Sequence, residues 1–227
     1  MRAHKRLRVI ADLVCLKNGV VADIGADHGL LSKILIDEGR AKKIIATDIS
    51  APSLQKTRDL VEKNLLASQI ECRVGDGLKP LLQNEVDLAI IAGMGGYEII
   101  KILEQSKSLG IINYIFQPVQ NAVQLRTYLQ DNGYSIKKDF LICDKTKFYN
   151  TIYVSFCGKP EKLSYNEIEF GVDNLSNPTD DFKKYLLSYI NTCNNICNKT
   201  SKNVQCENKL KNAKELYEEL YGSKIGE

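Results

Sequence analysis

Up to about residue 157, short unbroken apolar runs alternate with amphipathic stretches, and that rhythm leaves few folds open. Unbroken runs of this length read as buried strands, and amphipathic segments between them read as covering helices, the pattern of an α/β fold. Strands are predicted at 20–24, 44–48, 70–74, 86–92, 114–116, 134–143 and 151–156. Helices are predicted at 29–37, 52–64, 96–107 and 119–130, with Pro52 in a first turn and Asn132-Gly133 as a stop. The last two strands follow one another across a polar turn. The final strand should therefore run antiparallel at one edge of the sheet.

After Gly158-Lys159-Pro160 the composition shifts, and Asn177-Pro178 punctuates the chain. Phe182, Tyr185, Leu186, Tyr189, Ile190, Cys193, Ile196 and Cys197 then recur at spacings of three and four. A polar turn at 198–203 leads to a second such stripe, Leu210, Ala213, Leu216, Tyr217, Leu220 and Tyr221, which Gly222 ends. Each stripe is too narrow to stand alone, so an all-α helical hairpin is expected, its helices packed antiparallel or against the first domain. A 227-residue chain suits this division into one full domain at 1–158 and an appendage at 159–227.

Composition excludes several classes. With 44% hydrophobic residues the chain is not disordered throughout, and no apolar run approaches the roughly 20 residues a membrane span needs. Residues 1–8 are basic but lack the apolar core of a signal peptide, so a cytoplasmic protein without a membrane partner is expected. Residues 1–160 carry a net +5, four of the cations in the first eight residues, against −2 for 161–227. A local basic arm on a nearly neutral body is compatible with a phosphate-rich partner, the alternative being a charged terminus that is simply solvated. Seven cysteines occur without a CxxC, and only His4 and His28 could join them, so buried thiols and no metal are expected.

The chemistry concentrates at Asp23-Ile24-Gly25-Ala26-Asp27-His28-Gly29, a strand entering a glycine turn and then a helix. Gly25 permits the sharp turn, and Gly29 lets the helix start close to a ligand. A dinucleotide fingerprint would need glycines at 25, 27 and 30, where the chain has Gly25, Asp27 and Leu30. A carboxylate at 27 would repel a pyrophosphate, which disfavours a nicotinamide oxidoreductase. A ligand with positive charge and no phosphate, such as S-adenosylmethionine, fits better. Asp48 ends the second strand, where an acid can accept bonds from ribose hydroxyls, and Asp76-Gly77 follows the third, where an acid can meet an adenine amino group. Either could instead be a helix cap or a turn pair, and Asp27 a cap of the first helix. Gly93-Met94-Gly95-Gly96 closes the fourth strand and implies close backbone approach to something bound. Met94 there is either core filler or a contact to the cofactor or the incoming base.

These segments, with Arg6-Leu7, Asp76-Gly77-Leu78, Ile91 to Gly96, Phe116-Gln117-Pro118, Leu125-Arg126 and Lys147-Phe148-Tyr149, closely resemble the bacterial tRNA (adenine-22-N1)-methyltransferase family. Tyr128 stands where that family would lead one to expect a tryptophan. The resemblance implies a Rossmann-like, seven-stranded class I methyltransferase sheet with a C-terminal all-α, coiled-coil-like hairpin, and methyl transfer from S-adenosylmethionine to N1 of adenine 22 in the D-arm region of tRNA. It implies a cofactor site of Arg6, Asp23, Gly25, Ala26, His28, Gly29, Asp48, Ile49, Asp76, Gly77, Gly93, Met94 and Gly95. Asp27 and His28 are the catalytic candidates, and Gly96, Tyr97, Gln117 and Tyr149 the substrate candidates. A monomer with tRNA as its partner is expected. The rival readings are a class I methyltransferase acting on another RNA, a protein or a small molecule, and a non-catalytic RNA-binding protein of this fold.

Overall fold

A computed structural model describes residues 5–105, 108–199 and 204–222. The chain begins with α1 (Lys5–Leu13) and β1 (Leu16–Ile24), then α2 (Leu30–Asp37), β2 (Ala41–Asp48) and α3 (Ala51–Lys63). Two strands, β3 (Ile70–Val74) and β4 (Leu88–Ala92), precede α4 (Gly96–Glu104), β5 (Asn113–Gln117) and α5 (Ala122–Asp131). The hairpin β6 (Tyr134–Asp144) and β7 (Lys147–Phe156) completes the sheet. Helices α6 (Tyr165–Phe170), α7 (Val172–Ser176), α8 (Asp180–Lys199) and α9 (Val204–Tyr221) follow.

The seven strands lie in the order β3-β2-β1-β4-β5-β7-β6. The first five in that order pair in parallel, and β7 is antiparallel to both β5 and β6. The reversed strand is thus not the edge, as the sequence suggested; it is inserted one place in, and β6 is the edge. Burial explains the swap: Thr151, Ile152 and Val154 of β7 are fully buried, whereas Lys137 and Lys138 keep β6 wet. Alternation along each strand feeds two cores. Ala89 and Ile91 of β4 join Ile99, Leu103, Leu125 and Leu129 of α4 and α5, while Leu88 and Ile90 join Leu31, Leu35 and Val61 of α2 and α3.

The basic start is not a free arm. Leu7, Ile10 and Ala11 pack α1 into the second core. Its charges are engaged on the other side: Lys5 donates to the Cys143 carbonyl and to Asp181, and Arg8 pairs with Glu38. Charges at 5, 6 and 8 had hidden the three–four spacing of 7, 10 and 11. His4, Lys107 and the tip expected over 198–203, from residue 200 on, lie outside the described residues.

The C-terminal hairpin forms as expected, around Phe170, Phe182, Leu186, Ile190, Ala213, Leu216 and Tyr217. It is joined to the sheet through α6 and α7, two short helices with no sequence counterpart in the prediction. Of the seven cysteines, Cys193 and Cys206 are buried and Cys15 and Cys157 are exposed, and Cys197 Sγ lies 3.0 Å from Cys206 Sγ. Among the described residues no helix is long and apolar enough to cross a membrane, and no group of three His, Cys, Asp or Glu could hold a metal.

Candidate active site

The carboxyl ends of β1, β2, β3 and β4 open on one side of the sheet, and their loops knit together through backbone bonds. Gly25 and Ala26 N–H both donate to the Thr47 carbonyl, at 2.8 and 3.0 Å, and Gly75 N–H donates to the Asp48 carbonyl at 3.0 Å. The Asp48 carboxylate ties its own loop to that of β1, accepting from Ser50 N–H at 2.8 Å and from Asp27 N–H at 3.3 Å. Ser50, not Asp48, caps α3, so the acid is a loop organiser at the crevice.

Two adjoining pockets share Gly25 and Ala92. The larger, about 220 Å³, is lined by Thr47, Asp48, Ile49, Asp76, Gly77, Gly93, Met94 and Glu98 among others. The smaller, about 90 Å³, is lined by Arg6, Asp23, Ala26, Asp27 and His28 among others. A third, about 290 Å³, extends from Arg6 to the β6–β7 turn and Tyr149. A side chain at Gly93 would meet nothing within 4 Å, which leaves its backbone open to a ligand.

Asp23 is buried and accepts a 2.6 Å bond from the Ser32 hydroxyl. Burial pushes its pKa up to about 6, and the negative charge of Asp48 adds to the rise. Asp76 is held below the usual carboxylate range by Lys79, 2.6 Å away. Asp27 adopts φ 46, with its carboxylate 3.4 Å from His28 Nε2 and 3.7 Å from Lys56 Nζ. The N-cap of α2 is Gly29, and no side chain caps that helix. Asp27 is therefore not a helix cap.

Four expectations change. Gly29 lines neither pocket: it is buried under α3 at φ 66, and a Cβ there would lie 2.7 Å from Thr57 Cγ2. Its glycine serves helix packing rather than ligand approach. Gly96 likewise approaches the chain itself, since a Cβ would collide with the Asn121 carbonyl. The Gly93–Gly96 loop is zipped to the β5–α5 loop by Gly93 N–H to Gln117 O, Val119 N–H to Met94 O and Gly96 N–H to Gln120 O. Gly95 caps α4 in that zip and lines none of the three pockets. Gln117 is buried; its amide donates to the Arg6 carbonyl and Thr151 hydroxyl, both at 3.2 Å, and its Oε1 accepts from Arg6 Nη1 at 3.4 Å. It positions Arg6 and presents nothing to a substrate.

Tyr97 is 62% exposed in the first turn of α4 and lines none of these pockets. Tyr149 lies under the Arg6 guanidinium, 5.9 Å from the ring centre. Met94 packs partly into the core, while its methyl faces Gly25 and it lines the larger pocket. Sequence reasoning missed Thr47, Glu98, Ile102 and Lys56. Glu98 looked like an ordinary first-turn acid, and Lys56 reaches Asp27 only because α3 folds beneath the first loop. The crevice thus gathers Asp23, Asp27, Asp48, Asp76 and Glu98, a charge set suited to a cationic, phosphate-free ligand.

Comparison with known proteins agrees with this geometry. The family model described as tRNA (adenine(22)-N(1))-methyltransferase matches residues 21–224. The Bacillus subtilis tRNA (adenine(22)-N(1))-methyltransferase is 34% identical over 155 residues, 67% of this chain and 64% of that protein. Its crystal structure superposes with a TM-score of 0.80 at 27% identity, covering 96% of this chain and 98% of that one. An M. capricolum member of the family, solved with S-adenosyl-homocysteine, gives a TM-score of 0.85 at 26% identity, covering 96% of this chain and 99% of that one. A chain that the family model matches over residues 21–224, and that superposes over 96% of its length on a solved member, belongs to the tRNA (adenine(22)-N(1))-methyltransferase family.

Proposed function

We propose that the chain methylates N1 of adenine 22 in the D-arm region of tRNA with S-adenosylmethionine. The observation that carries this reading is the acid-lined crevice bounded by Gly25 and Gly93, in a chain whose family match spans the strands that build it. The residues present suit the cofactor. Asp48 would hold the ribose hydroxyls, Asp76 the adenine amino group, and the exposed Ile49 one face of the ring. Arg6 and Asp23, on one pocket wall, match the carboxylate and ammonium of an amino acid. When bound, S-adenosylmethionine supplies a methyl group activated by a sulfonium.

Little acid–base work remains for the protein. N1 of adenine carries an in-plane lone pair that is unprotonated at neutral pH, so no side chain has to remove a proton. The chain contributes alignment. It also contributes negative charge at the mouth, where Asp27, flanked by His28, would stabilise the positive charge that appears on the adenine ring. N1 lies on the pairing edge, so the base must be unpaired or turned out of its stack. Tyr149, which lines the pocket beside Arg6, would stack on it, and Tyr97, exposed in the first turn of α4, is the second candidate. We take the enzyme to act as a cytoplasmic monomer.

The decisive experiment is methyl transfer to an unmodified tRNA transcript and to its A22G version. Incorporation into the first and none into the second is expected. Equal incorporation into both would move the target elsewhere, and none into either would remove the activity. Thermal stabilisation by S-adenosylmethionine but not by NAD is the companion result.

A further inference from the structure

Resting on that reading, we propose that the pocket at the β6–β7 turn is the subsite that takes a backbone phosphate of the tRNA beside the target adenosine. The pocket of about 290 Å³ is lined by Arg6, Asp144, Lys145, Thr146, Lys147 and Tyr149. Arg6 also lines the pocket of Asp23 and Asp27, so the two spaces meet at one guanidinium. The ligand class follows from the charges. Lys145, Thr146 and Lys147 are exposed, and neither lysine is ion-paired among the described residues. The one acid in the pocket, Asp144, accepts from the Arg6 backbone N–H at 3.4 Å, which ties it to the wall.

Lys5, Arg8 and Lys79, by contrast, are engaged internally, by Asp181, Glu38 and Asp76. Two unpaired ammonium groups, a hydroxyl and a guanidinium lying over Tyr149 suit a phosphodiester with a base or sugar against the ring. The turn itself is fixed for the purpose. Lys145 holds φ 59, a conformation a non-glycine residue seldom adopts, between two strands paired from Asp144 and Lys147 onward.

The test is binding of a tRNA transcript across a salt series, with cofactor affinity and methylation measured in parallel. The double variant Lys145→Asn with Lys147→Ser keeps a residue that tolerates the left-handed turn. Its dissociation constant for tRNA should rise about tenfold, and the slope of log K against log salt should flatten by about one to two. Cofactor affinity, and turnover at saturating tRNA, should stay within about twofold of the parent, and Lys147→Arg alone should retain the parent slope. Unchanged tRNA affinity and slope, in a variant that still methylates the transcript, would overturn the phosphate subsite and leave the methylation reading intact. A parent protein that binds the transcript but transfers no methyl group would overturn the methylation reading and the subsite that rests on it.

Discussion

Asp27 is a non-glycine residue held at positive φ, its carboxylate half exposed beside His28 and Lys56 in an acid-lined crevice. Backbone strain of this kind persists where the surroundings over-determine it, and here Thr57 donates a 2.8 Å bond to the Asp27 carbonyl from below. Asp27→Asn keeps the left-handed conformation and removes the charge. We expect kcat to fall roughly ten- to a hundredfold with cofactor affinity changed less than about threefold, measured by single-turnover methylation and calorimetry. An unchanged kcat would reduce Asp27 to a loop residue. Asp23 makes the opposite bargain. Its pKa is about 6 in the fold against 3.8 outside it, so the folded state holds the proton more tightly. Its contribution to stability is fully present below about pH 3.8 and is lost as pH rises through 6. Asp23→Asn should therefore raise the melting temperature at pH 8, on the order of 5 °C, and leave it nearly unchanged at pH 4. The same substitution should weaken cofactor binding, because the neutral amide cannot pair with an ammonium group.

At the scale of elements, the edge strand β6 explains why the C-terminal segment is where it is. Four of its N–H groups find side-chain acceptors from beyond the sheet: Ile136 at Glu161, Asp139 at Asp173, Leu141 at Asn174 and Cys143 at Asp181. An edge covered in this way cannot template pairing with another chain. Behind it, Arg126 of α5 is 1% exposed and grips Asp139 with two bonds of 2.7 and 2.9 Å. Its remaining donors meet Asn150 and the Ile168 and Glu169 carbonyls of α6. Arg126→Met should cost about 3–5 kcal/mol in a denaturant titration, because it strands a buried carboxylate. Adding Asp139→Leu should recover most of the loss; an additive double variant would show that the pair is not coupled. None of this was legible in the sequence. Buried parallel strands announce themselves as apolar runs, and the strand-end acids Asp48 and Asp76 fall where the runs stop. The roles of Gln117, Gly96 and Gly29, by contrast, depend on loops and helices distant in the chain, which no local pattern encodes. Strand order is equally silent: the insertion of β7 inside β6 depends on which hairpin arm buries both faces, and the two arms read alike.

For the molecule as a whole, the boundary near residue 158 is visible as a change in composition, yet the contacts across it are of core quality. Glu169 faces the hairpin as well as the Arg126 site, accepting from Tyr189 at 2.6 Å and from Lys209 at 3.3 Å. The Phe148 ring of β7 meets Tyr185 of α8 edge-on at 5.4 Å, and Phe170 bridges to Phe182 and Tyr189. Two units joined by the Arg126 bonds to the Ile168 and Glu169 carbonyls, four edge bonds and an aromatic chain should melt together, even though each has its own apolar cluster. Calorimetry of the full chain should then show one transition, and S-adenosylmethionine bound at the sheet should raise it as a single peak. Phe182→Ala, in the hairpin core, should remove about 3–5 kcal/mol and lower that same peak by roughly 10 °C, carrying the sheet with it. A second peak that shifts with Phe182→Ala but ignores the cofactor would mean that the hairpin folds on its own. Deletion of residues 159–227 would then leave a stable methyl-transfer domain, whereas a single peak predicts that the shortened chain, with β6 uncovered and Arg126 short of acceptors, aggregates on expression.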